Sequence, residues 1–142
     1  MNYLLDTNII SEFASSAPNS DMMTWLQEHQ QDNLFLSVIT IGEIQQGIER
    51  LPISKKRTRL TNWLHNTLLV IYADFILPLD TPTMLQWGAM TAQLIKKGRK
   101  MPVMDALIAA TTVTHDLTLV TRNISDYQYT NIPLINPWQS TL

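Results

Sequence analysis

At 142 residues, with 45% hydrophobic and 15% charged side chains, the chain is sized for one domain that buries roughly 68–70% of its unfolded surface, and it is too apolar for a disordered segment. It has no cysteine, which excludes disulfide staples, thiolate metal sites and a cysteine nucleophile. The net charge of −2 argues against a general attraction to nucleic acid, yet eight of the ten Lys and Arg residues fall in two clusters, Lys55, Lys56, Arg57 and Arg59, then Lys96, Lys97, Arg99 and Lys100.

Tyr3 to Leu5 is a short apolar run ending in Asp6-Thr7-Asn8, after which Ile9, Ile10 and Phe13 return at helical spacing. This predicts strand, turn and helix. A second helix is expected from Asp21, as N-cap, through Trp25 and Leu26, and a second strand over Leu34 to Ser37. Ile41, Ile44 and Ile48 share one face of a helix over Thr40 to Arg50. The chain breaks near Pro52 and resumes as a helix from Ser54 to Leu69, with Leu60, Trp63 and Leu64 inward, so that the pair forms an arm.

Ile76 to Leu79 reads as a third strand, and Asp80-Thr81-Pro82 announces a helix to Lys97 that Gly98 stops. Pro102 opens another helix, whose Ala106 to Ala110 run is apolar all round and belongs in the core. Leu117 to Thr121 is a fourth strand and Leu134 to Ile135 a fifth, with Asn136-Pro137-Trp138 closing one edge. Alternating strands and helices imply an α/β fold over residues 1–142: three layers, α/β/α, around a central, mostly parallel sheet of about five strands.

Ligand sites of such sheets lie along the C-terminal edge of the strands. Asp6 and Asn123 each follow a strand, Asp126 is three residues further, and Glu43 and Asp105 sit near helix starts. Gathered together, they suit Mg²⁺ or Mn²⁺, and a cation so held is a common means of cleaving a phosphodiester. Duller roles compete: Asp6 as an Asx-type cap, Glu43 closing a capping box with Thr40, and Asp105 as a carboxylate favoured at a helix N-terminus. Asn8 is read as orienting Asp6 or a water, and Thr121 as orienting a water or phosphate oxygen. Arg122 either pairs with a carboxylate or meets substrate. His29, His65 and His115 lack metal-ligand spacing and belong at the surface or helix ends. The basic clusters are either solvated helix ends or grips on the flanks of a polyanion. With no signal peptide and no run long enough to span a membrane, the expected location is cytoplasmic.

Taken together, Leu4-Leu5-Asp6-Thr7-Asn8-Ile9-Ile10-Ser11, Ser37-Val38-Ile39-Thr40-Ile41-Gly42-Glu43, Asp105-Ala106-Leu107-Ile108-Ala109-Ala110 and Val120-Thr121-Arg122-Asn123 resemble the PIN-domain toxins of bacterial toxin-antitoxin pairs. The type is usually called VapC, and Asn136-Pro137-Trp138 is similar to the ending of its FitB-like branch. The resemblance implies a Mg²⁺-dependent endoribonuclease, with Mn²⁺ as a substitute, whose metal ligands are Asp6, Asp105 and Glu43. It also implies a cognate antitoxin whose tail covers the site, a homodimer with Trp63 and Leu64 as a possible contact, and DNA contact only through the antitoxin complex. Such toxins often carry a further acidic residue where this chain has Asn123, with another at the position of Asp126. The uncharged amide points to one well-held cation. It also supports the alternative of a catalytically weak binding module in an antitoxin-containing, DNA-binding repressor complex. A third reading is a metal-dependent enzyme for small phosphoesters or DNA.

Overall fold

In the computed structural model, which describes residues 1–139, five short strands form one sheet in the order β3-β2-β1-β4-β5. They are β1 (Asn2–Leu5), β2 (Asn33–Ser37), β3 (Ile76–Leu77), β4 (Thr118–Val120) and β5 (Leu134–Ile135). Every pairing is parallel, so the sheet is wholly rather than mostly parallel. The third and fourth strands are shorter than the apolar runs suggested, because pairing ends before Pro78 on one and before Thr121 on the other.

The pleat sorts the apolar residues into two cores. Tyr3, Leu5, Leu36 and Val120 point into a core completed by Ile9, Ile10, Met22, Ile44, Ile48, Leu64 and Leu68. Leu4 and Leu119 face the other side, against Ile39, Leu107, Ile108, Ala109, Tyr127 and Ile132. Helices therefore cover both faces, as parallel strands require. On the first core lie α1 (Thr7–Phe13), α2 (Ser20–Glu28) and α4 (Lys55–Trp63), with α4 running on through a π-helical segment, Leu64–Leu68, to α5 (Leu69–Ile71). On the second lie α6 (Thr81–Lys96) and α7 (Val103–Thr114), while α3 (Val38–Glu49) sends Ile44 and Ile48 to one core and Ile39 to the other.

Two helix starts and one helix interior differ from expectation for a local reason. The cap of α2 is Asn19, whose Oδ1 accepts from the Met22 amide at 3.0 Å, which puts Asp21 inside the first turn. The cap of α3 is Ser37, whose Oγ accepts from the Ile39 amide at 3.0 Å, so the helix begins at the strand's last residue rather than at Thr40. The Ser54 helix is not uniform, since the carbonyl ladder widens at Leu64–Leu68, a π-helical step of the kind that marks an insertion in a regular helix. By contrast, α6 ends as its sequence says. Gly98 takes φ +73°, its amide reaches the Ile95 carbonyl at 2.9 Å, and the Arg99 amide reaches Leu94 at 2.8 Å, the paired bonds of a Schellman cap.

At the far edge, Pro137 is buried and Trp138 packs with Ile135 on the first core, so the Asn136-Pro137-Trp138 ending does close the sheet beyond β5. Among the described residues no helix is long and apolar enough to cross a membrane.

Candidate active site

The strand order reverses direction between β1 and β4, and there the chain leaves β1 at Asp6 and β4 at Thr121. The Asp6 amide still donates to the Val120 carbonyl at 2.9 Å, which carries the pairing one residue past β1 and fixes the backbone under the carboxylate. Asp6 is only 6% exposed. Its Oδ1 accepts from the Thr7 amide at 2.8 Å, so it is the cap of α1. Its Oδ2 accepts from the Thr121 hydroxyl at 2.9 Å, the Tyr127 hydroxyl at 3.1 Å and the Asn8 side-chain amide at 3.4 Å. Capping takes one lone pair of Oδ1 while three side chains hold Oδ2, so capping leaves Oδ1 a lone pair for a site role. Burial raises the carboxyl above its ordinary range, and the bonds from Thr121, Thr7, Tyr127 and Asn8 oppose that rise.

Two neighbours act on Asp6 rather than on a substrate. Thr121 is fully buried, and its hydroxyl also accepts from the Asn8 side chain and the Asn123 amide, each at 3.1 Å. That hydroxyl is saturated and turned inward, which corrects its expected role toward a water or phosphate. Asn8 does orient Asp6, and its Oδ1 accepts from the Arg122 amide at 3.0 Å, clamping α1 to the exit of β4.

Glu43 lies in the second turn of α3, because the helix starts at Ser37, and it closes no capping box. Its Oε1 accepts from the Thr7 hydroxyl at 2.7 Å, and that hydroxyl lies 3.0 Å from the hydroxyl of buried Thr40. Thr7 thus links Glu43 to the residue beside Asp6. Asp105 stands at the third position of α7, where Pro102 offers no side-chain cap, and its Oδ1 accepts from the Tyr127 hydroxyl at 3.3 Å. Its carboxyl is pushed up by burial first, then by the charges of Asp6, Asp126 and Glu43, with the Tyr127 bond opposing. Asn123 and Asp126 are exposed, Asn123 just before and Asp126 within the short 3₁₀ turn Ile124–Tyr127, and Asp126 lies close enough for its charge to act on Asp105.

The sheet edge therefore brings Asp6 and Asp105 together through one hydroxyl, with Glu43 attached through Thr7 and Asp126 near enough for its charge to be felt at Asp105. Among the described residues, no three carboxylate or imidazole groups gather into a ready-made metal cage. Nor does any basic group within 4.0 Å neutralise these acids: the described ion pairs are the N-terminus with Asp32 and Arg57 with Glu49. Uncompensated acidic charge in a partly buried crevice fits a cation that shares Asp6 and Asp105 and keeps several waters, as Mg²⁺ does. Tyr127 is the site residue that sequence reasoning missed. Its signal was weak, a tyrosine one residue after Asp126 in an otherwise polar loop.

Among the described residues Arg122 pairs with no carboxylate; its guanidinium sits 5.3 Å from the centroid of the Trp138 ring. His29 and His115 cap the C-termini of α2 and α7, and His65 is exposed on the π-helical segment. The first basic cluster opens α4, a poor place for cations beside the positive end of a helix dipole. Arg57 has a structural partner in Glu49 at 2.8 Å, whereas Lys56 and Arg59 line a cleft of about 480 Å³ that reaches Glu43. In the second cluster Arg99 lies 3.9 Å over the Tyr129 ring, and with Lys100 it lines a hollow running to Pro102 at the start of α7.

The family model described as "PIN domain" matches residues 3–128. The chain belongs to the PIN-domain family. Among PIN relatives it is 32% identical to the VapC ribonuclease Y4jK of Sinorhizobium fredii over 96% of this chain and 97% of that one. It is 33% identical to toxin FitB of Neisseria gonorrhoeae over 95% and 97%. The crystal structure of FitAcB from Neisseria gonorrhoeae superposes with a TM-score of 0.90 at 32% identity, covering 97% of this chain and 99% of that chain. The protein is thus a PIN domain of the VapC/FitB toxin type, with the α/β fold expected from its sequence.

Proposed function

We propose that this PIN domain is a Mg²⁺-dependent endoribonuclease, the toxin of a type II toxin-antitoxin pair. The observation that carries the reading is the pair Asp6 and Asp105, held to one hydroxyl at the sheet's C-terminal edge with no basic side chain to neutralise them. Relatives named as a VapC ribonuclease and a toxin match over nearly the whole chain and support it.

In this reading Asp6 and Asp105 are the principal metal ligands, and Glu43 completes the acidic site or helps activate water. A bound Mg²⁺ or Mn²⁺ supplies positive charge that polarises the scissile phosphate and lowers the pKa of a water. The chain's own work is placement. Thr121 and Asn8 fix Asp6, Thr7 fixes Glu43, and Asn123 and Asp126 border the crevice. Hydrolysis by water leaves a 5′-phosphate and a 3′-hydroxyl, and the RNA 2′-hydroxyl is not required as nucleophile. Lys56 and Arg59 on one flank, with Arg99 and Lys100 on the other, take the neighbouring phosphates of a single-stranded or looped RNA.

The partner in this reading is a cognate antitoxin whose tail lies over the acidic crevice and offers it a basic side chain. An apolar groove of about 590 Å³, lined by Ile10, Phe13, Met23, Trp63 and Ile71, is open to an apolar stretch of the same partner. Of the two arm residues considered for a homodimer, Leu64 is core at 1% exposed, which leaves Trp63 on the groove wall. DNA is reached only through the antitoxin complex.

The test is cleavage of a defined RNA by purified, antitoxin-free protein with Mg²⁺, Mn²⁺ or EDTA, beside Asp6→Asn and Asp105→Asn. Metal-dependent cutting lost in both variants establishes the nuclease. A second reading, the catalytically weak binding module in a DNA-binding repressor complex, is favoured by the lack of a three-carboxylate cage among the described residues and by the uncharged Asn123. Inertness of the wild type toward several RNAs with either metal would put that reading first.

A further inference from the structure

Tyr127 is fully buried, in the same core cluster as Leu4, Ile108 and Leu119, and a buried phenol needs an acceptor for its one hydrogen. A single carbonyl would satisfy it. Instead the hydroxyl stands 3.1 Å from Asp6 Oδ2 and 3.3 Å from Asp105 Oδ1, so one proton is shared between two carboxylates from opposite ends of the chain. The remaining bonds at Asp6 are unevenly divided: Oδ2 takes Thr121 and Asn8 as well, while Oδ1 takes only the Thr7 amide. Among the described residues, Asp105 Oδ2 accepts no hydrogen bond. The oxygens with lone pairs to spare are therefore Asp6 Oδ1 and Asp105 Oδ2.

We propose that Tyr127 is a positioning residue for the cation: by tethering one oxygen of Asp6 and one of Asp105 to the same hydroxyl, it fixes the separation of the two carboxylates and presents Asp6 Oδ1 and Asp105 Oδ2 as the ligating pair. The inference rests on the metal-dependent reading above. It accords with the lack of a three-acid cage among the described residues: a rigid two-carboxylate bite, with water filling the other positions and Glu43 placed to hold one of those waters, suits a small octahedral cation. Hydrogen bonds to ligating carboxylates commonly govern metal affinity in this way, and losing one typically weakens binding 10–100-fold.

The experiment is titration of full-length, metal-free protein with Mn²⁺ and separately with Ca²⁺, followed by calorimetry and by the Mn²⁺ electron paramagnetic resonance signal. Wild type, Tyr127→Phe and Tyr129→Phe are compared, each checked by its metal-free melting temperature. Tyr127→Phe keeps the ring that packs in the core and removes only the tether. The expected result is an Mn²⁺ Kd raised about tenfold or more, with a narrower preference for Mn²⁺ over Ca²⁺, since a loose bite suits the larger and more adaptable ion. Tyr129→Phe, on the exposed ring beneath Arg99, should bind as wild type does. A purely structural hydroxyl would shift the metal-free melting temperature and leave both the Kd and the Mn²⁺/Ca²⁺ ratio unchanged, and that outcome overturns the proposal alone. Absence of Mn²⁺ binding in wild type overturns the proposal together with the metal-dependent reading.

Discussion

Replacing Asp105 by Asn should make the metal-free protein more stable at neutral and alkaline pH while abolishing its proposed activity. The wild-type carboxyl is raised by burial and by the charges of Asp6, Asp126 and Glu43, so the folded state holds its proton more tightly than the unfolded chain does. Its favourable contribution is therefore complete below the unfolded pKa, near 3.9, and is lost as pH rises through the folded value; above that, ionised Asp105 is a burden. One pKa unit corresponds to about 1.36 kcal/mol, but the side chain is only half-buried, so solvent screening brings the expected gain to about 0.5–1 kcal/mol. For a chain of this size that is about 2–4 °C in melting temperature. The Asn amide keeps an oxygen for the Tyr127 hydroxyl, so no buried donor is orphaned. The assay is urea unfolding in EDTA from pH 4 to pH 9, wild type against Asp105→Asn. The difference curve should be near zero at low pH, favour the variant increasingly as pH rises through the folded-state titration of Asp105, and level off above it. Added Mn²⁺ should reverse the order by stabilising wild type alone. A variant less stable than wild type across the whole range would refute the electrostatic account of the crevice.

Thr7→Val removes the hydroxyl that holds Glu43 but keeps the amide that Asp6 caps. RNA cleavage should fall about tenfold, as for loss of other groups that orient a site residue, with an unchanged fold by circular dichroism. Lys56→Ala and Arg59→Ala should leave Mn²⁺ affinity intact and weaken RNA binding, each flattening the plot of log K against log salt by about 0.7; unchanged slopes would remove that wall from the RNA path. Leu64→Ala, a truncation at a site 1% exposed, should cost about 3 kcal/mol in urea unfolding, a loss too large for a residue whose main role is a subunit contact.

Most of the architecture was legible because it depends on short-range signals that the tertiary structure reinforces. Asp80 before Thr81-Pro82, Gly98 after the last turn of its helix and the apolar Ala106–Ala110 run each mark an element by one physical rule, and each holds. Errors arose where two signals competed. Ser37 and Thr40 are both good caps, and the choice went to the residue that ends β2, which moved Glu43 out of the capping position. Asp21 and Asn19 compete in the same way at α2. The π-helical step at Leu64–Leu68 has no local marker, because it depends on which side chains reach the core. At the site, the acids could be named from type and position, but of their connections only that of Asn8 to Asp6 could. Thr7, Thr121 and Tyr127 are uncharged; the role of Thr7 appears only when Glu43 folds against it, and those of Thr121 and Tyr127 only when residues more than a hundred positions apart meet at Asp6.

Those connections divide the acidic residues by how firmly each is held. Asp6 sits in the floor of the crevice with four hydrogen bonds and a backbone pinned to β4, so it has little freedom to adjust to a ligand. Glu43 and Asp105 each have one side-chain bond and are half-buried, and Asn123 and Asp126 stand exposed at a short 3₁₀ turn. Firmness thus declines from the sheet edge outward. A cation is best served by fixed ligands on its protein side, whereas a flexible polyanion needs room on the other. The same gradient explains why the crevice tolerates its unbalanced charge. The acid most deeply buried is the one given the most donors, and the acids with fewest donors are those that water can still reach.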